Sequence, residues 1–315
     1  MVNFLFSLNV VAPLFILMAI GYIVRQIKFI SDDFLSQLNR FVFKFLLPVM
    51  LFQDIRLSYQ GDFSNTKLIF TSLLGISLTI LISFLIVPLF IKRSAQRGSI
   101  IQGIYRSNFL IYGLPLATGM YGKDAVSTIS MLMGIMIPFY NVAAVIILSI
   151  YSESTTHKIT FRGILKDIVT NPLILGSFWG LLGGAIHLKL PPFIELPIGQ
   201  LAATAAPLAL FVMGGEFRFR SLRNNIYKVI GVTVVRLIVV PVIALYCFVQ
   251  MGFRNVELSV LLTIFATPTA MASYIMAKNM GNDGELSGQI VVLTTACSCL
   301  TIFFLVFCLR SWGYF

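Results

Sequence analysis

Charged residues are scarce in this chain of 315 residues. Asp, Glu, Lys and Arg together make up only 11% of it, whereas a soluble globular domain has roughly 25%. Hydrophobic residues make up 58%. This composition excludes an ordinary soluble domain and indicates an all-α integral membrane protein.

The residues that intramembrane catalysis needs are also nearly missing. The only histidines, His157 and His187, lie in or beside predicted loops. No Asp or Glu lies in the middle of a predicted span, because Asp54 and Glu216 fall at span ends. Aspartyl proteases of the membrane need two such carboxylates, and serine types need a Ser–His pair. We therefore expect no enzyme. The absence of charged rings or a repeated filter motif argues against a channel as well.

Cysteine gives no sign of a disulfide or a metal site. The four cysteines all lie inside predicted spans, at Cys247, Cys297, Cys299 and Cys308. No histidine lies near the Cys-x-Cys pair, and small apolar filler is the simplest interpretation. We expect neither a metal nor a cofactor.

Long apolar runs are what the sequence has in abundance. Runs of about 20 residues are typical of membrane helices. Ten are predicted, over 6–24, 38–55, 68–91, 100–119, 125–150, 169–187, 196–215, 227–250, 257–279 and 286–310.

The basic residues predict the orientation of these spans. The odd-numbered loops and their flanks carry 16 Lys and Arg residues, including Arg106, against 6 for the even-numbered loops and the C-terminus. Basic residues collect in cytoplasmic loops. We therefore expect a multi-pass protein of the cytoplasmic membrane with both termini outside, and the net charge of +11 needs no nucleic-acid partner. The first 24 residues lack Lys and Arg, so we expect a retained first helix rather than a signal peptide.

The prolines predict an internal repeat. Four pairs follow in order, Pro13 with Pro172 and Pro48 with Pro207 at an offset of 159, then Pro88 with Pro241 and Pro115 with Pro268 at 153. The halves would be residues 1–155 and 169–315, joined by a short cytoplasmic linker at 156–168. Five spans per half is an odd number, so the second half would be inverted, as in many secondary transporters.

Two spans contain a proline that would break them near the membrane centre. In the fourth span Gly113 could end one half-helix and Pro115 begin the next, and in the ninth Thr267 could cap a helix that starts at Pro268. Broken backbone is tolerated in a membrane where it lines a cavity. Two helix N-termini facing one cavity would favour an anion. The alternative is a pair of simple kinks.

Polar residues cluster around these two breaks. The predicted substrate-binding residues are Asn108, Tyr112, Gly113, Pro115, Asn141, Thr267, Pro268, Thr269, Ser273 and Tyr274. Each could instead form a hydrogen bond to a neighbouring helix and so stabilise helix packing. Arg236 is the only charge deep in a span. It could extend to the membrane surface or face the interior and steer anions.

The fourth span resembles that of the auxin efflux carrier family. The pattern Asn-x4-Gly-Leu-Pro-x5-Tyr-Gly occurs from Asn108 to Gly122, Asn171-Pro172 opens the second half, and "APLALFVMGGEF" covers 206–217. The resemblance implies two inverted five-helix repeats with crossed helices 4 and 9, a bile-acid-symporter- and NhaA-like elevator fold, and a homodimer. It also implies that Asn108 and Asn141 lie where substrate carboxylates are held. The long central loop of the plant members is lacking here.

The functional hypothesis is a carrier of small organic anions, with dicarboxylates such as malate or malonate favoured. Two alternatives stay open, a transporter-like membrane sensor for an organic acid and a carrier of an auxin-like aromatic monocarboxylate. The direction of transport and the coupling to protons or sodium are left open too.

Overall fold

The computed structural model describes residues 2–59, 65–109, 112, 116–117, 120–153 and 161–315. The described regular structure is helical, apart from one isolated β-bridge. The helices are α1 (Val2–Gln26), α2 (Asp32–Phe41), α3 (Leu47–Ser58), α4 (Thr66–Phe90), α5 (Ser94–Tyr105), α6 (Lys123–Tyr151), α7 (Phe161–Thr170), α8 (Pro172–Ala185), α9 (Pro192–Glu216), α10 (Phe219–Val234), α11 (Val240–Gln250), α12 (Asn255–Ala266), α13 (Ala272–Asn279) and α14 (Gly284–Ser311). Two π-helical turns, Val42–Leu46 and Val235–Val239, join α2 to α3 and α10 to α11.

The helices are apolar enough to lie in a membrane. Within the described residues, five stretches are long and apolar enough to cross one: Thr66–Phe90, Thr128–Tyr151, Pro192–Glu216, Arg223–Gln250 and Gly284–Ser311. Shorter apolar helices cover Phe15–Gln26, Pro172–Ala185 and Asn255–Ala266. On α4, Leu89 and Phe90 are 78% and 79% exposed. So much exposed apolar surface is expected of a helix that faces lipid. The full count of ten spans stays a prediction.

Local sequence explains where several helices begin. The side chains of Ser31 and Asp283 cap α2 and α14 by accepting hydrogen bonds from backbone N–H groups in the first turn. Asn171 does the same for α8, with Pro172 at its first position. The described part of the predicted linker at 156–168, residues 161–168, lies in α7.

The helices pack as two groups. In the first group, α1 packs along α9 and α3 along α8, with α3 also against α9. The second group contains α4–α6 and α10–α14. Glycines make the close contacts in the first group. A Cβ on Gly176 of α8 would lie 2.5 Å from the Pro48 carbonyl oxygen. Small residues allow two helix backbones to approach this closely. The resulting van der Waals contact stabilises the helix pair in lipid, where the hydrophobic effect does not drive helices together.

Two extended segments cross in the middle of the second group. Helix α5 ends at Tyr105 and α12 ends at Ala266. Ser107 then pairs with Thr269 in an antiparallel bridge. The Asn108 N–H donates to the Pro268 carbonyl oxygen at 2.8 Å. We call residues 106–108 and 267–270 the crossover. The Ala270 N–H in turn donates to the Arg106 carbonyl oxygen at 3.0 Å. Each segment thus satisfies backbone groups of the other, which lowers the cost of leaving the helical conformation there.

The crossover corrects part of the sequence prediction. Thr267 caps the C-terminal end of α12, and the next helix, α13, begins at Ala272. The predicted helix start at Thr267-Pro268 is therefore wrong. Gly113 and Pro115 lie outside the described residues. Helix α5 ends at Tyr105, ten residues before Pro115, so the chain leaves the helix earlier than sequence analysis had placed the break.

Helix ends also give a different repeat offset for the later spans. Tyr105 and Ala266 are 161 residues apart, and the ends of α4 and α11, Phe90 and Gln250, are 160 apart. The offset thus stays close to 159. The shift to 153, inferred from the last two proline pairs, is wrong. Pro268 corresponds to the segment after Tyr105 and not to Pro115.

Candidate functional site

A cavity of about 80 Å³ lies beside the crossover, between the two helix groups. Its polar lining residues are Arg106, Ser107, Asn108, Tyr140 and Asn141. Nonpolar residues of α3, α6 and α9 and the first residues of α13 complete the wall. Because both groups contribute, the cavity would change shape if one group moved against the other.

Arg106 supplies the positive charge of the cavity. Its side chain is buried, with the residue only 5% exposed. Nη2 donates to Asn141 Oδ1 at 2.6 Å. The Gln102 amide is best oriented with its nitrogen donating to the Ser273 carbonyl oxygen, and its oxygen then accepts from Arg106 Nη1 at 2.9 Å. Among the described residues, no carboxylate lies within ion-pair distance of Arg106. A buried cation without an anionic partner is costly and points to an anionic ligand.

Asn141 holds the Arg106 guanidinium in place. It is fully buried on α6. While its oxygen accepts from Arg106, its Nδ2 donates to Ser177 Oγ on α8 at 3.0 Å. Asn141 therefore lines the cavity and also bonds a neighbouring helix, as the packing interpretation expects. Its role in substrate binding stays a prediction.

Asn108 presents a free donor. Its Nδ2 is buried and has no hydrogen-bond partner among the described residues. The Tyr140 hydroxyl is also buried without a hydrogen-bond partner among the described residues, although Ser107 lies nearby. An unpaired buried donor costs about 1–3 kcal/mol. A carboxylate in the cavity would offer an acceptor to Asn108 beside the Arg106 charge.

Arg236 faces the protein interior and does not extend to the membrane surface. It is fully buried in the π-helical turn between α10 and α11. Its guanidinium donates to backbone carbonyl oxygens of Ile104, Ile264 and Thr267 at 3.1, 3.2 and 2.9 Å. These carbonyls belong to the last turns of α5 and α12, where the helix dipole is negative. Arg236 thus neutralises two helix C-termini at the crossover.

The other predicted residues that the structure describes do not line the cavity, and Gly113 and Pro115 lie outside the described residues. Thr267 hydrogen-bonds Ser107 through their hydroxyls at 2.7 Å, and the Thr269 hydroxyl donates to the Gly103 carbonyl oxygen. The Tyr274 hydroxyl donates to Glu216 of α9. Tyr112, Pro268 and Ser273 are likewise absent from the cavity wall.

Arg106 is not among the predicted substrate-binding residues, because its position near the end of a basic loop suggested a loop charge. The sequence does contain a signal for it, since Arg106, Ser107 and Asn108 are three consecutive polar residues within an apolar run.

Comparisons with known proteins agree with a transporter. The family model described as "Membrane transport protein" matches residues 6–306. A protein of Rhizobium meliloti (strain 1021) named "Putative malonate transporter" is 22% identical over 308 residues, which cover 96% of each chain. Auxin efflux carrier component 5 of Arabidopsis thaliana is 24% identical over 319 residues, 87% of this chain and 88% of the plant protein. The chain therefore belongs to the membrane transport protein family of the auxin efflux carriers.

Proposed function

We propose that this member of the family is a secondary-type carrier that moves small organic anions across the cytoplasmic membrane. The substrate carboxylate would bind in the crossover cavity, to the Arg106 guanidinium and the Asn108 amide. The observation that carries the proposal is a buried arginine with no carboxylate partner among the described residues, beside an amide donor that has no partner there either, in a cavity between two helix groups.

The size of the cavity favours a small acid. A pocket for a drug-sized ligand has about 300–1,000 Å³, whereas this cavity has about 80 Å³. A three- or four-carbon acid suits that space better than an indole ring does. The name of the Rhizobium relative points to malonate for that protein. We therefore favour malonate-like and malate-like acids over an auxin-like aromatic acid.

Alternating access by an elevator motion is part of the proposal. The first helix group would serve as the scaffold, and the second would carry the substrate. The binding site would open first to one side of the membrane and then to the other, as an inverted repeat permits. The glycine contacts between α1 and α9 and between α3 and α8 would keep the scaffold rigid. A homodimer and extracytoplasmic termini complete the proposal.

Uptake into proteoliposomes tests the function. We expect saturable uptake of radiolabelled malonate or malate, abolished in Arg106→Ala and retained in Arg254→Ala, which removes a cation that does not line the cavity. Binding without any uptake would instead support the sensor alternative. Stronger competition by indole-3-acetate than by malonate would support the aromatic substrate.

A further inference from the structure

The cavity wall contains a single full positive charge. Among its lining residues, Arg106 alone is ionised as a cation, and no lysine or histidine takes part. Arg236 contacts the crossover from the turn between α10 and α11, but its donors are directed at backbone carbonyls. The residues between Asn108 and Met120 that lie outside the described set are all uncharged in the sequence.

Apart from Arg106, Ser107, Asn108, Tyr140 and Asn141, the lining of the cavity is nonpolar. Leu47, Met50 and Leu51 of α3 and Ala206 and Ala209 of α9 belong to this nonpolar part. A second ionised carboxylate placed there would lose its hydration without gaining a counter-charge, which is strongly unfavourable. The N-terminus of α13 contributes at most about half a unit charge. It cannot replace a second guanidinium.

We infer that the species carried through this cavity bears a net charge of −1. It is a small monocarboxylate, or a dicarboxylic acid with one carboxyl group protonated. Its carboxylate lies at Arg106 and Asn108, and its neutral end faces α3 and α9. This inference rests on the proposed function and specifies its substrate. A dicarboxylate would then bring one proton across with it as part of the substrate molecule, without a separate proton site on the protein.

Malonate and monomethyl malonate, which have nearly the same shape, can distinguish a site for one negative charge from a site for two. Malonate gains its second charge as the pH rises through the second pKa of the free acid, whereas monomethyl malonate keeps a single charge above its one carboxyl pKa. Their affinities for the purified wild-type protein would be measured by calorimetry at a series of pH values. The ester also reports any effect of pH on the protein itself.

We expect the ester to bind with constant affinity over this range. The apparent affinity for malonate should fall about tenfold for each pH unit above the second pKa, as the monoanion fraction falls. Malonate binding that stays constant, or that tightens relative to the ester as the pH rises, would overturn the inference while leaving the carrier function intact. If neither compound binds at any pH, the proposed function is overturned, and this inference with it. If malonate binds and the ester does not, the inference is overturned while the carrier function stands.

Discussion

Gly21 packs directly on the backbone of Phe211. A Cβ on Gly21 would lie 2.0 Å from the Phe211 carbonyl oxygen. A second contact of the same kind joins Gly180 to the Phe52 carbonyl oxygen, at 2.9 Å for a Cβ on Gly180. Gly21 and Gly180 are 159 positions apart, and so are Phe52 and Phe211. The same contact thus occurs once in α1–α9 and once in α3–α8, which supports the proposed inverted repeat.

We predict that Gly21→Ala destabilises the protein. The added methyl group would meet backbone, which cannot move aside cheaply, and overpacking of this kind costs about 1–3 kcal/mol. Thermal unfolding in detergent should show a lower midpoint. The matched control is Gly231→Ala on α10, where nothing lies within 4 Å of the added Cβ and helix propensity favours alanine. Equal midpoints for the two variants would contradict the close packing of α1 on α9.

Arg106 should determine anion affinity. A hydrogen bond to a charged group contributes about 1.5–3 kcal/mol, so Arg106→Gln should weaken malonate binding by roughly ten- to a hundredfold or more. Arg106→Lys keeps the charge but loses the forked geometry of the guanidinium. Its affinity for malonate should lie between those of the wild type and of Arg106→Gln. Calorimetry gives these values directly. An Arg106→Gln protein that binds as tightly as wild type would place the substrate elsewhere.

Substitutions at Asn108 distinguish an anion site from a cation site. Asn108→Ala removes one donor and should reduce affinity by about tenfold or more. Asn108→Asp should reduce it further, because the new carboxylate would repel the substrate and neutralise Arg106. The expected order is wild type, then alanine, then aspartate. Tighter binding by the aspartate variant than by the alanine variant would show that the pocket binds cations.

Arg236→Met should affect stability rather than affinity. The substitution leaves the carbonyls of Ile104, Ile264 and Thr267 buried without their donor, at a cost of about 1–3 kcal/mol for each unsatisfied group. The unfolding midpoint should drop strongly, while the protein that remains folded binds malonate normally. Arg106→Met is the matched comparison and should show the opposite pattern. Reduced affinity at unchanged stability in Arg236→Met would instead establish the anion-steering role.

The orientation in the membrane can be tested with single cysteines. In a background without the four native cysteines, Ser154→Cys and Ser311→Cys would be labelled with an impermeant maleimide in intact cells. We expect labelling at position 311 from outside, and at position 154 only after the cells are opened. Labelling of both positions from the same side would rule out five spans in the second half.

The sequence was informative where local pattern decides the structure. Apolar runs predicted helices, and the caps at Ser31 and Asn171 follow from residue type and spacing. Asn108 and Asn141 were predicted near the breaks from their residue type, and both line the cavity, while their role in binding stays a prediction. The break in the fourth span was predicted too late, at Gly113 and Pro115, because the extended backbone after Tyr105 is stabilised by a segment about 160 residues away. Arg236 was ambiguous for the same reason, since its partners are carbonyls of helices distant in sequence.

Asn141 bonds Arg106 in the second helix group and Ser177 in the first. The proposed counter-ion of the substrate and the contact between the groups therefore share one side chain. In the proposed elevator motion, sliding of the groups would break the bond to Ser177 and free the amide to rotate, which would alter its hydrogen bond to the guanidinium. Occupancy of the cavity and relative position of the groups would then be thermodynamically linked, and the linkage would be reciprocal. A ligand that draws Arg106 away from Asn141 would loosen the boundary in the same step.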